Sequence, residues 1–372
     1  VEQELLRAAG HDVVPYFRSN DAIALNGFVS RARLAAGTVW SRESYRALRE
    51  LLAREKPDVA HFHNTLPLVS PSGYYACREA GVPVVQTLHN YRLLCPAATF
   101  FREGQICEEC AEHSLLRGVR HGCYRGSRAA TATVATMLAA HRALGTWRDK
   151  VDVYIALSEF ARRKFVGAGL PAEKIVVKPN FVHPDPGPRD GPGEYALFVG
   201  RLSPEKGVQT MIEGWKRLSG RIPLHIVGAG PQCAELEAAA RGLEGTRFRG
   251  RLPYEQTVAA MKRARFLVFP SEWYEPFGLG MIEAFACGVP VIASRLGAME
   301  EIVADGRTGL HFIPGNADDL AAKVEWAWTH PREMEAMGRA ARAEYEAKYT
   351  AARNYEMLMQ VYERAVATSA HR

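Results

Sequence analysis

Residues 265–293 constrain this chain more than any other stretch. Arg265-Phe-Leu-Val-Phe269 and Val289-Pro-Val-Ile-Ala293 are short, almost wholly apolar runs, the pattern of parallel strands buried on both faces. Between them a segment that reads as a helix is stopped by Gly288. Strand, loop over 270–277, helix and second strand commit their domain to a parallel sheet covered by helices. The loop then lies at the carboxyl edge of that sheet, where open α/β folds bind ligands. There the N–H groups of Phe277, Gly278 and Leu279 open the helix as an anion site. Glu275 in the loop and Glu283 in the helix can border one crevice.

The same alternation runs along the chain. Strand-like runs occur at 58–63, 82–88, 151–156 and 174–178, and a helical segment over 40–55 carries Leu48, Leu51 and Leu52. Residues 183–193 hold four prolines and three glycines, which support neither helix nor central strand and mark a linker. Strand-like runs resume at 195–199, 224–227, 246–249 and 266–269. The expected organisation is an α/β domain over 1–182, a linker over 183–193, a second α/β domain over 194–350 and a C-terminal helix within 351–372. Two doubly wound, Rossmann-like halves joined this way would face a central cleft. The chain opens with a helix stopped at Gly10 and then a strand-like run, whereas an α/β domain opens with a strand. The first strand and its glycine-rich turn are therefore expected to be missing ahead of Val1.

With 372 residues, 47% hydrophobic and 24% charged, the chain has room for two cores. No run approaches the about eighteen apolar residues of a membrane span, and no signal peptide is visible, so a cytoplasmic chain is expected. A formal charge of +6 is too small to argue for nucleic acid.

Gly200-Arg201-Leu-Ser-Pro204-Glu-Lys206-Gly207 follows the first strand of the second half and places two cations at a strand end. Two cations at a sheet's carboxyl edge suit an anionic ligand such as a phosphate. Gly228-Ala-Gly230-Pro231 lacks the third glycine of a dinucleotide fingerprint, which disfavours a nicotinamide dehydrogenase. No acid pair near these loops has metal-ligand spacing, so no catalytic metal is expected.

The run Glu275-Pro-Phe-Gly-Leu-Gly-x-x-Glu283-Ala-x-Ala-x-Gly288-x-Pro290-Val-Ile resembles the signature of the retaining nucleotide-sugar glycosyltransferases of the GT-B fold, family 4. The resemblance covers nearly the whole chain. It implies that Arg201 and Lys206 bind the donor diphosphate, that Glu283 binds the ribose hydroxyls and that Glu275 approaches the donor sugar. Pro83-Val-Val-Gln-Thr-Leu-His89 resembles the family motif whose histidine lies beside the reacting sugar, with Asn90 where the family often has aspartate. His61, His63, Asn64 and Asn90 also follow strands and form the expected acceptor side. The C-terminal helix of the family crosses back to the first domain.

Four of the seven cysteines fall in one insert, Cys95-x11-Cys107-x2-Cys110-x12-Cys123, with turns expected at Gly104, Gly118 and Gly122. This spacing suits either a structural tetrahedral zinc site or ordinary buried thiols. Cys77, Cys233 and Cys287 read as small core residues. From His113 to Arg148 there are six arginines (117, 120, 125, 128, 142 and 148) and no acidic residue. That stretch reads either as a solvated face or as a dock for an anionic inner membrane face.

The expected activity is transfer of a sugar, with retention, from a nucleotide diphosphate-sugar to a glycan or lipid-linked acceptor in cell-surface polysaccharide assembly. Two alternatives stand beside it: a non-catalytic sugar-nucleotide-binding subunit, and a GT-B phosphorylase or sugar-phosphate synthase.

Overall fold

A computed structural model describes residues 1–19 and 27–370. The chain divides into two compact units, one of Val1–Arg102, Cys107–Lys178 and Tyr355–Arg372, the other of Glu103–Ile106 and Pro179–Asn354.

In chain order the first stretch supplies β1 (Ala60–Phe62), β2 (Val84–Leu88), the two-residue strands β3 (Phe101–Arg102) and β4 (Gln105–Ile106), then β5 (Val153–Ala156) and β6 (Ile175–Val177). The first unit is built on a parallel sheet in the order β1-β2-β5-β6. Every residue of β2 and β5 is buried, as a sheet covered on both faces requires. Helix Arg42–Glu55 is started by Ser41, whose hydroxyl accepts from the Ser44 N–H, and buries Leu48 and Leu52. From the far end of the chain, Leu358, Val361 and Ala365 of helix Ala351–Ala370 pack with Val85, Val153 and Ile155. The strand-like run at 12–17 forms no strand: Pro15 lacks a ladder N–H and the segment is largely exposed.

The second unit contains β7 (Tyr195–Val199), β8 (Leu224–Val227), β9 (Thr246–Gly250), β10 (Ala264–Phe269), β11 (Val291–Ser294) and β12 (Gly309–Phe312). They form one parallel sheet in the order β12-β11-β10-β7-β8-β9. The chain winds outward from β7 to β9, then crosses back to β10 and winds the other way. The reversal leaves a topological switch point between β7 and β10, the place where doubly wound sheets open a crevice. Val208, Met211, Ile212 and Trp215, on one face of helix Val208–Arg217, are fully buried under this sheet. Residues 183–193 form neither helix nor strand and belong with this unit, where Arg342 and Asp185 make an ion pair of 2.7 Å. Among the described residues no helix is long and apolar enough to cross a membrane.

Candidate functional site

The two strands that flank the switch point carry the two loops singled out in the sequence. After β7 the chain runs through Gly200 and Arg201 into the short turn Pro204–Lys206. After β10 it runs through Ser271 to Phe277 and into helix Leu279–Ala286. The loops touch at Gly207, which has φ +63°, and a Cβ there would lie 1.9 Å from the Pro270 carbonyl oxygen. Only glycine allows that approach. A hydrogen bond from the Glu272 N–H to the Glu205 carbonyl (2.9 Å) and one from the Thr210 hydroxyl to the Glu272 carboxylate hold the loops together.

This closeness sets the central contact. Lys206 Nζ donates to Glu275 Oε1 at 2.5 Å, and the Ser271 hydroxyl donates to the same oxygen at 2.8 Å. Glu275 is 4% exposed, so this is a nearly dry ion pair. The Lys206 ammonium also lies 5.3 Å from the centre of the Trp273 ring. Arg201, the other cation of the motif, is exposed, and its guanidinium makes no hydrogen bond or ion pair among the described residues.

Phe277 is buried and meets Tyr349 edge-on at 5.9 Å, which anchors the loop where the helix begins. Gly278, at φ +93°, is the N-terminal cap, and Leu279 is exposed. The first N–H groups of the helix have no partner within it. One turn on, burial pushes the Glu283 carboxyl up to about 7. Tyr254, at the start of helix Tyr254–Lys262, is raised by burial and by the charge of Glu283. The turn after β8 explains its own glycines: a Cβ on Gly228 would fall 1.8 Å from the Gly200 carbonyl oxygen. The Gly-x-Gly there serves close packing of one loop on another.

In the first unit, the residues after β1 and β2 also come together. His63 Nδ1 and His89 Nε2 are 2.7 Å apart, and Asn90 Nδ2 donates to Asn64 Oδ1 at 3.3 Å. His61 is held between Thr87 Oγ1 (2.7 Å) and the Tyr362 hydroxyl (2.9 Å). Burial, then the neighbouring His63, lowers His61 to about 3 and His89 to about 4, so both rings are neutral near pH 7. Burial alone would raise Glu2, but a hydrogen bond from His63 and the charge of Lys178, 3.3 Å away, hold it at about 2. Glu2, His61 and His63 are the set of ligand-type side chains, among the described residues, whose ligating atoms lie within 4.8 Å of one another.

The insert cysteines also converge. Cys95, Cys107, Cys110 and Cys123 line one small chamber with Arg102, Glu109 and Gly118, and burial pushes the Cys110 thiol up to about 11. Two expectations need correction. Gly118 is not in a turn but within helix Leu115–His121, where a Cβ would press on Cys110 Sγ at 2.9 Å. Cys233 is not core: it is half-buried at the start of helix Cys233–Ala239, whereas Cys77 and Cys287 are fully buried.

Sequence reasoning missed Glu2, Thr87, Lys178 and Tyr362 around the histidines, and Thr210, Tyr254 and Glu272 around the second-unit loops. Glu272 shares the Ser-Glu-Trp-Tyr-Glu segment with Glu275 and was legible there. Tyr362 lies 301 residues from His61, and no local pattern signals that contact.

The chain is similar to known proteins in sequence and in fold. A profile described as Glycosyltransferase Family 4 matches residues 4–186, and one described as Glycosyl transferases group 1 matches residues 183–344. The chain is 31% identical over 360 residues to the phosphatidyl-myo-inositol mannosyltransferase of Mycobacterium leprae, covering 93% of this chain and 82% of that protein. Over 161 residues it is 41% identical to the glycogen synthase of Mycobacterium tuberculosis strain H37Rv, covering 42% of this chain and 38% of that protein. The chain thus spans about two-fifths of the length of the first curated relatives it matches. Among solved structures, Anabaena Alr3699/HepE in complex with UDP is similar with a TM-score of 0.65 at 20% identity, covering 86% of this chain and 81% of that one.

Proposed function

Because the chain belongs to the family 4 glycosyltransferases and has their GT-B fold of two Rossmann-like domains, we propose that it transfers a sugar from a nucleotide diphosphate-sugar to a hydroxyl of a glycan or lipid-linked acceptor. The observation that carries this reading is the pairing of the β7 and β10 loops at the switch point, with Lys206 seated on Glu275.

In this reading Arg201, Lys206 and the N–H groups of Phe277, Gly278 and Leu279 meet the diphosphate and stabilise the charge that grows on it as the C–O bond breaks. Glu283 receives the ribose hydroxyls, which replace the water its buried carboxylate lacks. Glu275, held by Lys206 and Ser271, is aimed at the donor sugar. His89, neutral and bonded to His63, positions a hydroxyl without adding charge. Transfer proceeds with retention: the acceptor oxygen attacks from the leaving-group side, its proton passing to the departing phosphate oxygen. The reaction uses no divalent cation, since side chains and a helix terminus supply the positive charge.

The likeness to a phosphatidyl-myo-inositol mannosyltransferase supports a lipid-bearing acceptor, and cell-surface polysaccharide or glycolipid assembly is the proposed setting. The basic stretch 113–148 then docks on an anionic membrane face, with Leu116 and Leu144 exposed on it. Within that stretch Arg142 donates to the Leu93 carbonyl, Arg128 to the Arg120 carbonyl, Arg148 pairs with Asp149 and Arg117 with Glu109, which leaves Arg120 and Arg125 as the better candidates for lipid contact. Vesicles containing anionic lipid should retain the protein at low salt and release it at high salt.

The direct test is thermal shift of the full chain against UDP-, GDP-, ADP- and dTDP-sugars, with Glu283→Ala alongside. A shift with one nucleotide class that the variant loses, followed by product whose anomeric configuration matches the donor by NMR, supports the whole reading. Binding with no transfer to any acceptor favours a sugar-nucleotide-binding subunit. Transfer only to inorganic phosphate or a sugar phosphate favours a phosphorylase or synthase.

A further inference from the structure

We propose that Cys95, Cys107, Cys110 and Cys123 form a structural zinc site that ties together the insert of the first unit. The four thiols reach one chamber from four different pieces of backbone. Cys95 sits in a turn where its N–H donates to the Tyr91 carbonyl (2.9 Å), and Cys107 follows β4 with its N–H on the Phe100 carbonyl (2.8 Å). Cys110 lies in the four-residue helix Glu109–Glu112, and Cys123 comes just after Gly122 ends helix Leu115–His121. Chain folding that gathers four separate thiols round one space, with a glycine where any larger residue would press on Cys110 Sγ, is the arrangement a tetrahedral thiolate site needs.

All four cysteines are free thiols. Among the described residues no three of these sulfurs all lie within 4.8 Å of one another, whereas Zn–S bonds of about 2.3 Å set tetrahedral sulfurs about 3.8 Å apart. Binding therefore draws the four sulfurs inward. Four thiolates on Zn²⁺ carry two net negative charges, and the surroundings offset them: Arg92 interacts electrostatically with Cys95, Arg102 with Cys123 and Arg142 with Cys110.

The insert also needs a tie. Between residues 101 and 123 its regular elements have two, two, four and seven residues, too short to bury a core of their own. Small modules of this kind hold together with metal or disulfide.

The experiment measures metal, not activity, so its outcome is independent of the proposed transfer reaction. The full chain is purified without chelator from zinc-supplemented medium, and its metal is counted by mass spectrometry. One zinc per chain is expected, released in step with titration of four thiols by an organomercurial. Cobalt substitution should give the intense sulfur-to-cobalt charge-transfer band of a tetrahedral thiolate site. Cys110→Ser and Cys123→Ser should lose the metal, while Cys233→Ser and His63→Ala keep it. Because the counting and the cobalt spectrum use the unaltered chain, they decide the matter even where a cysteine variant fails to fold. Three results would each overturn the proposal: no stoichiometric zinc, disulfides among the four cysteines in the protein as purified, or metal that His63→Ala loses and Cys110→Ser retains. The last would move the site to Glu2, His61 and His63.

Discussion

The loops of the second unit and the histidine cluster of the first occupy the same place in their folds, the carboxyl ends of parallel strands, yet they distribute charge differently. Beside β7 and β10, a pair of opposite charges is kept, the nearly buried Glu275 on the partly exposed Lys206, while burial raises Glu283 to about 7. Beside β1 and β2, charge stays on the Glu2–Lys178 pair and is removed from the rings: His61 and His89 fall to about 3 and 4 and remain neutral polar groups. The first arrangement suits a ligand that brings anionic phosphates and a diol. The second suits hydroxyls, which need donors and acceptors but no counter-charge. What a strand end recognises is therefore decided by the burial and partners of the side chains placed there, within one architecture.

The contrast is broken most severely at Lys206. Lys206→Ala strands Glu275 as a nearly buried carboxylate with Ser271 as its remaining side-chain partner, and should cost about 2–4 kcal/mol in a urea melt, discounted because the lysine is itself partly exposed. Transfer should fall about 10²–10³-fold, the loss expected when a charge stabiliser is removed from a reacting diphosphate. The double variant Lys206→Ala/Glu275→Gln should recover part of the stability and none of the activity. Equal destabilisation of single and double variants would mean that the pair is not coupled.

His89→Ala sharpens the comparison from the other side. It should lower kcat about 10²-fold, the usual scale for a lost proton-handling or orienting group, and leave the affinity for the nucleoside diphosphate unchanged. Since His89 is neutral above about 4, it should also leave the pH profile between 5.5 and 8 as it was. A limb that vanished from that range in His89→Ala would show that the ring titrates in the working enzyme.

The group expected to titrate in that range is Glu283. Its folded value of about 7 lies above the ordinary 4.5, so its favourable contribution to stability is complete below about 4.5 and is lost as pH rises through 7. At 1.36 kcal/mol per unit the effect is of order 3 kcal/mol at most. Glu283→Gln should therefore flatten the pH dependence of the ligand-free protein, with melts at pH 5 and pH 8 moving closer together. Donor binding favours the carboxylate and should release a proton between pH 6 and 7, seen as a buffer-dependent heat in calorimetry. The variant should show no such heat and bind about tenfold more weakly.

How much of this could be read beforehand follows from how local each signal is. Five of the six strands of the second unit, Gly207, Gly278 and the Glu275–Glu283 pair lie in runs whose apolar pattern and turn residues fix their conformation within a few positions, while β12 was not read from the sequence. The clustering of His63, Asn64, His89 and Asn90 was legible because each follows a strand, and adjacent parallel strands bring their ends together. The partners that set the chemistry were not. Tyr362 and Lys178 reach the histidines from sequence-distant elements, and the salt link of Lys206 to Glu275 depends on how closely Gly207 lets two loops approach. The run at 12–17 misled because β-branched and aromatic residues favour a strand only when an edge is there to pair with.

The smallest expected effect tests a residue the sequence did not single out. Tyr254 is 45% exposed, starts its helix after Pro253 and feels the charge of Glu283, the group assigned to the ribose. If Glu283 receives the ribose as proposed, the Tyr254 ring is placed to cover the attached base, and a partly exposed stack of this kind contributes about 1 kcal/mol. Tyr254→Ala should therefore weaken nucleoside diphosphate binding about fivefold, while Tyr254→Phe, which keeps the ring and drops the hydroxyl, should bind as the parent does. Inorganic pyrophosphate, which has no base, should bind both variants and the parent alike. If Tyr254→Phe weakened the nucleotide as much as Tyr254→Ala, the contribution would come from the hydroxyl beside Glu283. The residue would then belong with the charged contacts of the ribose and not with the base.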